Sequence, residues 1–145
     1  MILVDTNVWS EAFRSLPDPS VRGWARDHSD QLWLSTVVVG ELLSGVELMP
    51  IGRKRLTLAE GYSALIEQYR DRVLPFDLDA ARVYATVLAS QERAGRNPGT
   101  ADTQIAATAL SRGLALATRN TKHFAGLGLQ LINPWLNELP APPTY

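Results

Sequence analysis

Three acidic side chains carry the clearest chemical signal in this sequence: Asp5, Glu41 and Asp102. Asp5 directly follows the apolar run 2–4, which predicts a strand buried on both faces of a parallel sheet. In open α/β sheets, functional sites form beyond the carboxyl ends of the strands. An aspartate at this position can also simply cap the helix that follows, so Asp5 alone does not decide between the two roles.

Glu41 lies within a predicted helix, on a side that we expect to be apolar. Helical spacing places it beside Val38, Gly45 and Leu48, whereas Glu47 falls on a more polar side and is expected to be solvated. A carboxylate on an apolar face is costly unless it is paired or bound to a metal ion. A buried ion pair with an arginine is the alternative explanation.

Asp102 falls in the first turn of the last predicted helix. An acid is favoured there by the helix dipole alone, which is the simplest explanation of its presence. The same helical spacing places Asp102 on the side of Ile105, Ala106 and Ala109, so we expect it to point inward.

Three inward carboxylates would repel one another unless a cation lay between them. The sequence has no cysteine and only two histidines, His28 and His123, which excludes thiolate zinc sites and His-rich sites. Oxygen ligands favour Mg²⁺, with Mn²⁺ as a substitute. Such a cation can activate a bound water and offset charge on phosphate oxygens, which suits phosphodiester hydrolysis. The residues alone therefore predict an acidic metal site in an α/β domain.

The bulk composition limits the other function classes. A chain of 145 residues with 46% hydrophobic residues fits one globular domain. Its 14 Lys and Arg against 15 Asp and Glu are not the strongly basic balance of a protein that holds nucleic acid by charge alone. No leader or apolar run of about 20 residues is visible, so we expect a cytoplasmic protein that does not enter a membrane.

Alternating strands and helices must position these acids. Strands are predicted at 2–4, 32–34, 73–76, 114–118 and 129–132, the third with a proline typical of an edge strand. Helices are predicted at 8–13, 21–28, 36–49, 53–71, 78–95 and 101–112, with Ser20 and Thr100 as two of the N-caps. This order predicts a single three-layer α/β/α domain with a central parallel sheet over 1–139 and a Pro-rich tail over 140–145.

With these residues in place, the chain resembles the PIN-domain family, and within it the VapC and FitB-like toxins of type II toxin–antitoxin systems. The resemblance spans nearly the whole chain. It is carried in the same order by the segments 2–7, 35–42, 100–109, 117–124 and 132–135. Each segment is weakly specific by itself, and the five together are fairly specific.

The resemblance implies a Mg²⁺-dependent endoribonuclease whose catalytic acids are Asp5, Glu41 and Asp102. Asp5 and Asp102 would hold the metal, and Glu41 would complete the pocket and help to orient the attacking water. It also implies a homodimer and a cognate antitoxin that plugs the site. Operator DNA would be bound only indirectly, through the antitoxin.

Further residues are expected to line this site: Thr6, Asn7, Thr118 and Asn120. Many family members have a fourth acid where this chain has Asn120, so we expect weak binding of one metal ion rather than two. His123 falls where a further acid often sits, and we expect it to be structural or simply exposed.

Basic residues could supply the local positive charge that RNA requires. Arg119 and Lys122 are the better candidates, because they follow a strand whose carboxyl end should face the site. Arg93 and Arg96 also lie near the predicted site loops, whereas the cluster 53–55 is at least as well explained as a solvated face. Trp135 is expected to pack rather than to stack on a base.

Three alternative functions were considered for this sequence. The start of the chain superficially resembles a haloacid dehalogenase phosphatase, but the second acid that such an enzyme requires is Asn7 here. A receiver-like domain should have a paired acid early and a lysine after a late strand, and that pairing is absent. A catalytically weak PIN-like module that binds an antitoxin would be consistent with Asn120, and metal titration distinguishes it.

Overall fold

The computed structural model describes residues 1–136 and 145, and its centre is one parallel sheet. The strands are β1 (Ile2–Val4), β2 (Leu32–Ser35), β3 (Val73–Leu74), β4 (Ala115–Ala117) and β5 (Leu131–Ile132). Their order across the sheet is β3-β2-β1-β4-β5, and every neighbouring pair is parallel. The first strand of the chain is therefore the central strand of the sheet.

Helices connect the strands. They are α1 (Thr6–Glu11), α2 (Pro19–Asp27), α3 (Thr36–Glu47), α4 (Arg53–Gln68), α5 (Leu78–Arg93) and α6 (Thr100–Ser111), with 3₁₀ turns at Arg70–Arg72 and Thr121–Phe124. The chain moves from β1 to β3 in one direction across the sheet and returns from β3 to β5 in the other. Right-handed connections therefore put α1–α4 on one face and α5 and α6 on the other. The predicted three-layer parallel fold is confirmed.

The core explains why the central strand could be recognised in the sequence. Leu3 and Val4 are fully buried, as are Leu34 on β2 and Leu116 on β4. A strand covered by helices on both faces requires a continuous apolar run instead of alternation. β3 lies at the edge, as its proline predicted, and it is shorter than the predicted 73–76 because Pro75 cannot donate to the ladder.

Two predicted helix caps were wrong. Asp18, not Ser20, caps α2: its carboxylate accepts the backbone N–H of Ser20, and Pro19 opens the helix. Gly99, not Thr100, caps α6, with φ at 97°, a conformation that favours glycine. In both cases the true cap lies one or two residues earlier, so the helix gains part of a turn at its start.

Most predicted helix ends shift by a few residues. α1 occupies 6–11 and not 8–13, because Asp5 already acts as its N-cap. α4 stops at Gln68, and the remainder of the predicted 53–71 helix forms the first 3₁₀ turn. In the part of the chain that the structure describes, no helix is both long and apolar enough to cross a membrane. Most of the predicted Pro-rich tail, residues 140–144, lies outside the described residues, so the boundary at 139 stays a prediction.

Candidate active site

Asp5 lies at the carboxyl end of the central strand, in the first position after β1. One carboxylate oxygen, Oδ1, accepts the backbone N–H of Thr6 at 2.7 Å. The other, Oδ2, accepts the Thr118 hydroxyl at 2.7 Å and the Asn7 amide at 3.2 Å. Thr118 directly follows β4, which pairs with β1 in parallel, so the two strand ends bring residues 113 positions apart into contact. Asp5 therefore caps α1, and both of its carboxylate oxygens accept hydrogen bonds.

The electrostatics of Asp5 are unusual for a buried acid. Burial raises the pKa of its carboxyl group, and the hydrogen bonds from Thr118 and Thr6 offset only part of this effect. The charges of Asp102 and Glu41 raise the pKa further, so the three acids lie close enough to repel one another. Among residues 1–136 and 145, no Lys or Arg forms an ion pair with Asp5. No cationic side chain of the described residues therefore offsets the charge of Asp5 by direct pairing.

Glu11 is a second buried acid, and it can be compared with Asp5. It is 4% exposed, much like Asp5 at 3%, but it has an arginine partner. Arg14 lies 3.3 Å from its carboxylate, and the backbone N–H of Asp18 donates to it at 2.9 Å. Glu11 thus ties the end of α1 to the start of α2. Its role is structural, and the sequence analysis had not singled it out.

Glu41 contacts α1 and lies on a less apolar side of α3 than predicted. The buried face of α3 is formed by Val38, Leu42 and Val46, whereas Gly45 and Leu48 are exposed. Glu41 therefore lies beside the core face and is half-buried, not on an apolar side. Its Oε1 accepts the Thr6 hydroxyl at 2.7 Å.

The alternative explanation of Glu41, an ion pair with an arginine, is not supported: within the described chain, no salt bridge involves this residue. Glu47, at the end of the same helix, is 75% exposed and pairs with Arg55, as expected for a solvated acid.

Asp102 is the third residue of α6, and its helix face is as expected. Ile105, Ala106 and Ala109 are all fully buried, while the Asp102 side chain retains 21% exposure at the rim of this face. Its Oδ2 lies 2.9 Å from Nδ1 of His123. The contact brings α6 to the 3₁₀ turn at Thr121–Phe124.

His123 has a contact with Asp102 that was not predicted from the sequence. The expected exposure of His123 agrees with the structure, in which 49% of its side chain is accessible. The same ring nevertheless contacts one of the three acids directly. The sequence signal for His123 is its neighbour Phe124. Because Phe124 is buried, it fixes the 3₁₀ turn at Thr121–Phe124, and the His123 side chain then extends from an anchored backbone.

The residues predicted to line the site fall into two groups. Thr6, Asn7 and Thr118 contact the acids directly, through the hydrogen bonds given above. Asn120 contacts the network through its backbone N–H, which donates to the Thr118 hydroxyl at 3.1 Å, and its side chain is exposed. The structure brings Asn120 to the border of the site without placing its amide on a carboxylate.

Of the basic residues, Arg119 has the most defined position. Its backbone N–H donates to Asn7 Oδ1, and its guanidinium lies 5.1 Å from the ring centre of Trp135. Trp135 packs against the core, as expected, and also supports this arginine. Lys122 is exposed in the following turn, while Arg96 donates to the Ala125 carbonyl.

The donor set fits a hard divalent cation. Among residues 1–136 and 145, no three His, Asp or Glu side chains form a ready-made cage for an ion. Mg²⁺ rarely needs one, because it is commonly held by one or two carboxylates and keeps several waters. Asp5 and Asp102 are carboxylates of this kind, and the lack of a cationic partner at Asp5 leaves room for a bound cation to offset its charge.

Comparisons with known proteins identify the family and the fold. The family model described as "PIN domain" matches residues 2–128. VapC ribonuclease Y4jK of Sinorhizobium fredii is 42% identical over 93% of this chain and 98% of its own length. Toxin FitB of Neisseria gonorrhoeae is 36% identical over 93% and 99%. A solved structure of FitAB bound to the IR36 DNA fragment superposes with a TM-score of 0.87, at 35% identity, over 93% of this chain and 96% of that one.

Proposed function

This chain belongs to the PIN-domain family, and we propose that it is a divalent-metal-dependent endoribonuclease that acts as the toxin of a toxin–antitoxin pair. One observation carries the proposal. Asp5 is a buried carboxylate without a cationic side-chain partner in the described chain, and the charges of two further acids, Glu41 and Asp102, raise its pKa. An arrangement of this kind is destabilising unless a cation binds to it.

Each acid has a distinct place in the proposed reaction. Asp5 and Asp102 would hold Mg²⁺ or Mn²⁺, which lowers the pKa of a bound water and offsets charge on the scissile phosphate. Asp5 is fixed by its three hydrogen bonds, so it presents its oxygens in one orientation. Glu41, fixed by the Thr6 hydroxyl, is suited to orient the attacking water.

RNA must reach this acidic site although the whole chain carries a net charge of −1. Arg119 and Lys122 follow β4 beside the acids and would bind phosphates that flank the cleaved bond. The stack of Arg119 on Trp135 leaves guanidinium N–H groups available for phosphate oxygens. The bound cation adds further positive charge at the reacting phosphate itself.

The partner in this proposal is a cognate antitoxin, with the toxin itself a homodimer. An arginine of the antitoxin would reach Asp5 or Glu41, because a guanidinium fork fits a carboxylate that lacks a cationic partner. Contact with operator DNA would be indirect, through the antitoxin. A cytoplasmic location follows from these two partners, RNA and antitoxin.

The decisive experiment replaces the acids one at a time. Asp5→Asn, Asp102→Asn and Glu41→Gln should each abolish Mg²⁺-dependent RNA cleavage while leaving a cooperative thermal unfolding transition. Glu47→Gln is the matched control, because this exposed acid on the same helix as Glu41 should be dispensable. Retained cleavage in Asp5→Asn or Asp102→Asn would contradict the metal-site assignment. Metal binding without any cleavage by the wild type would favour a catalytically weak module that binds an antitoxin.

The partner is tested by expression. Without the product of the neighbouring gene the protein should inhibit growth, and with it the two should co-purify as a hetero-oligomer. Size-exclusion chromatography then measures the assembly. A monomer that does not inhibit growth and does not bind the product of the neighbouring gene would contradict the toxin proposal. The nuclease proposal would be unaffected by that result.

A further inference from the structure

The contact between His123 and Asp102 has a defined direction. Nδ1 of the imidazole lies 2.9 Å from Oδ2 of the carboxylate. An ionised carboxylate can only accept hydrogen bonds, so Nδ1 is the nitrogen that carries the proton. The bond therefore engages one oxygen of Asp102 as an acceptor, and Oδ1 is the oxygen that remains for another partner.

The backbone of the turn that carries His123 is anchored to the rest of the protein. The backbone N–H of His123 donates to the Asn120 carbonyl at 3.0 Å, and the next side chain, Phe124, is 1% exposed in the core. The turn also packs against both α6 and β5. A ring anchored in this way can fix the orientation of Asp102 instead of merely following it.

The same turn is linked to Asp5. Thr118 donates to Asp5, Asn120 donates its backbone N–H to Thr118, and His123 donates to Asp102. The segment 118–123 thus holds one acid at each of its ends. The relative placement of the two acids that would share a cation depends on this one segment.

We infer that His123 is a positioning residue, which fixes the orientation in which the Asp102 carboxylate would bind the divalent cation. The inference rests on the proposed metal site and adds to it a residue outside the three acids. Partners that orient a metal ligand commonly change metal affinity by about 10–100-fold when removed. His123 acts here through Asp102 and does not itself bind the metal.

Two substitutions separate this role from a purely structural one. His123→Leu removes the N–H donor, whereas His123→Asn retains a donor at nearly the same distance from the backbone. Calorimetric titration with Mg²⁺ alone, and separately with Mn²⁺ alone, measures affinity without reference to cleavage. We expect His123→Leu to bind both ions at least about tenfold more weakly, and His123→Asn to stay within about threefold of the wild type.

Two controls identify the route of the effect. His28→Leu changes the other histidine, whose Nδ1 contacts the Trp24 carbonyl on α2, and should leave metal affinity unchanged. In an Asp102→Asn background, His123→Leu should cause no further loss, because the residue through which it acts is already altered.

The possible results decide between the alternatives. Equal metal affinity in His123→Leu and the wild type would overturn the inference while leaving the proposed function standing. Equal losses in His123→Leu and His123→Asn, larger for Mn²⁺ than for Mg²⁺, would overturn it in favour of direct ligation by the imidazole. A wild type that binds neither ion would overturn the proposed function and the inference together.

Discussion

The Thr6 hydroxyl donates to Glu41 Oε1 across 2.7 Å and joins two helices whose residues are 35 positions apart in the chain. Thr6 is the first residue of α1, so its position follows directly from the Asp5 cap before it. The backbone N–H of Thr6 holds Asp5 and its hydroxyl holds Glu41. One threonine therefore sets the distance between two of the three acids.

Thr6→Val should lower RNA cleavage while Thr6→Ser retains it. Valine keeps the backbone N–H for Asp5 and removes only the hydroxyl that orients Glu41. A hydrogen bond to a charged group contributes about 1.5–3 kcal/mol, so kcat/KM should fall by roughly ten- to a hundredfold. Steady-state cleavage of a labelled RNA measures it, with thermal unfolding to verify the fold. Full activity in Thr6→Val would show that Glu41 needs no support from α1.

Asp5→Asn should gain stability relative to the wild type as the pH rises. Burial raises the pKa of Asp5 above its ordinary value of 3.8, so the folded state holds this proton more tightly than the unfolded state. The cost of ionisation is absent below pH 3.8 and develops as the pH rises through the higher folded-state pKa. Asparagine does not titrate, so the difference in Tm, variant minus wild type, should grow as the pH rises above 3.8 and level off above the folded-state pKa of Asp5.

Thermal unfolding in the presence of a chelator tests this pH dependence. The variant is compared with the wild type at each pH, and the sign of the change in the Tm difference is the result that matters. Asp30→Asn, which makes the same change at an exposed acid, is the control. A flat profile for Asp5→Asn would show that the buried carboxylate is not strained.

Asn120→Asp should tighten Mg²⁺ or Mn²⁺ binding and move the metal dependence of cleavage to lower concentration. The side chain lies at the border of the site, one hydrogen bond from Thr118, and a carboxylate attracts a cation more strongly than an amide. The added charge should also raise the pKa of Asp5 further in the metal-free protein. Calorimetric titration of both forms measures affinity and stoichiometry. If neither changes, Asn120 lies outside the site.

Arg119→Ala should weaken RNA binding at every sequence and reduce its salt dependence. Loss of one phosphate contact lowers the slope of log K against log salt by about 0.7 for single-stranded RNA. Binding is measured in the Asp5→Asn background, so that the RNA stays intact. Arg82→Ala, at an exposed arginine on α5, is the control and should leave the slope unchanged. An unaltered slope in Arg119→Ala would place RNA elsewhere.

The sheet was predictable because its signals are local. A central strand must be apolar throughout, and residues 2–4 are; an edge strand tolerates a proline, and β3 has one beside it. Asp5 could be singled out for the same reason, since its position depends only on the strand before it.

The rest of the site depends on tertiary contacts that periodicity does not carry. Helical spacing shows which residues share a face with Glu41, but not that α1 would supply its partner, and the expected apolar neighbours Gly45 and Leu48 proved exposed. The pairing of His123 with Asp102 requires α6 and a turn after β4 to meet. The sequence of neither segment indicates that the two come into contact.

The position of β4 beside β1 also gives the site an order of assembly during translation. A ribosome that has made residues 1–114 has already supplied Asp5, Glu41 and Asp102, but neither Thr118 nor His123. In that nascent chain β1 lacks one of its two neighbouring strands, and the two acids at the ends of the segment 118–123 are not yet held. Strand order thus prevents complete pairing of β1, and a complete set of hydrogen bonds to Asp5 and Asp102, until residues 115–123 have been made.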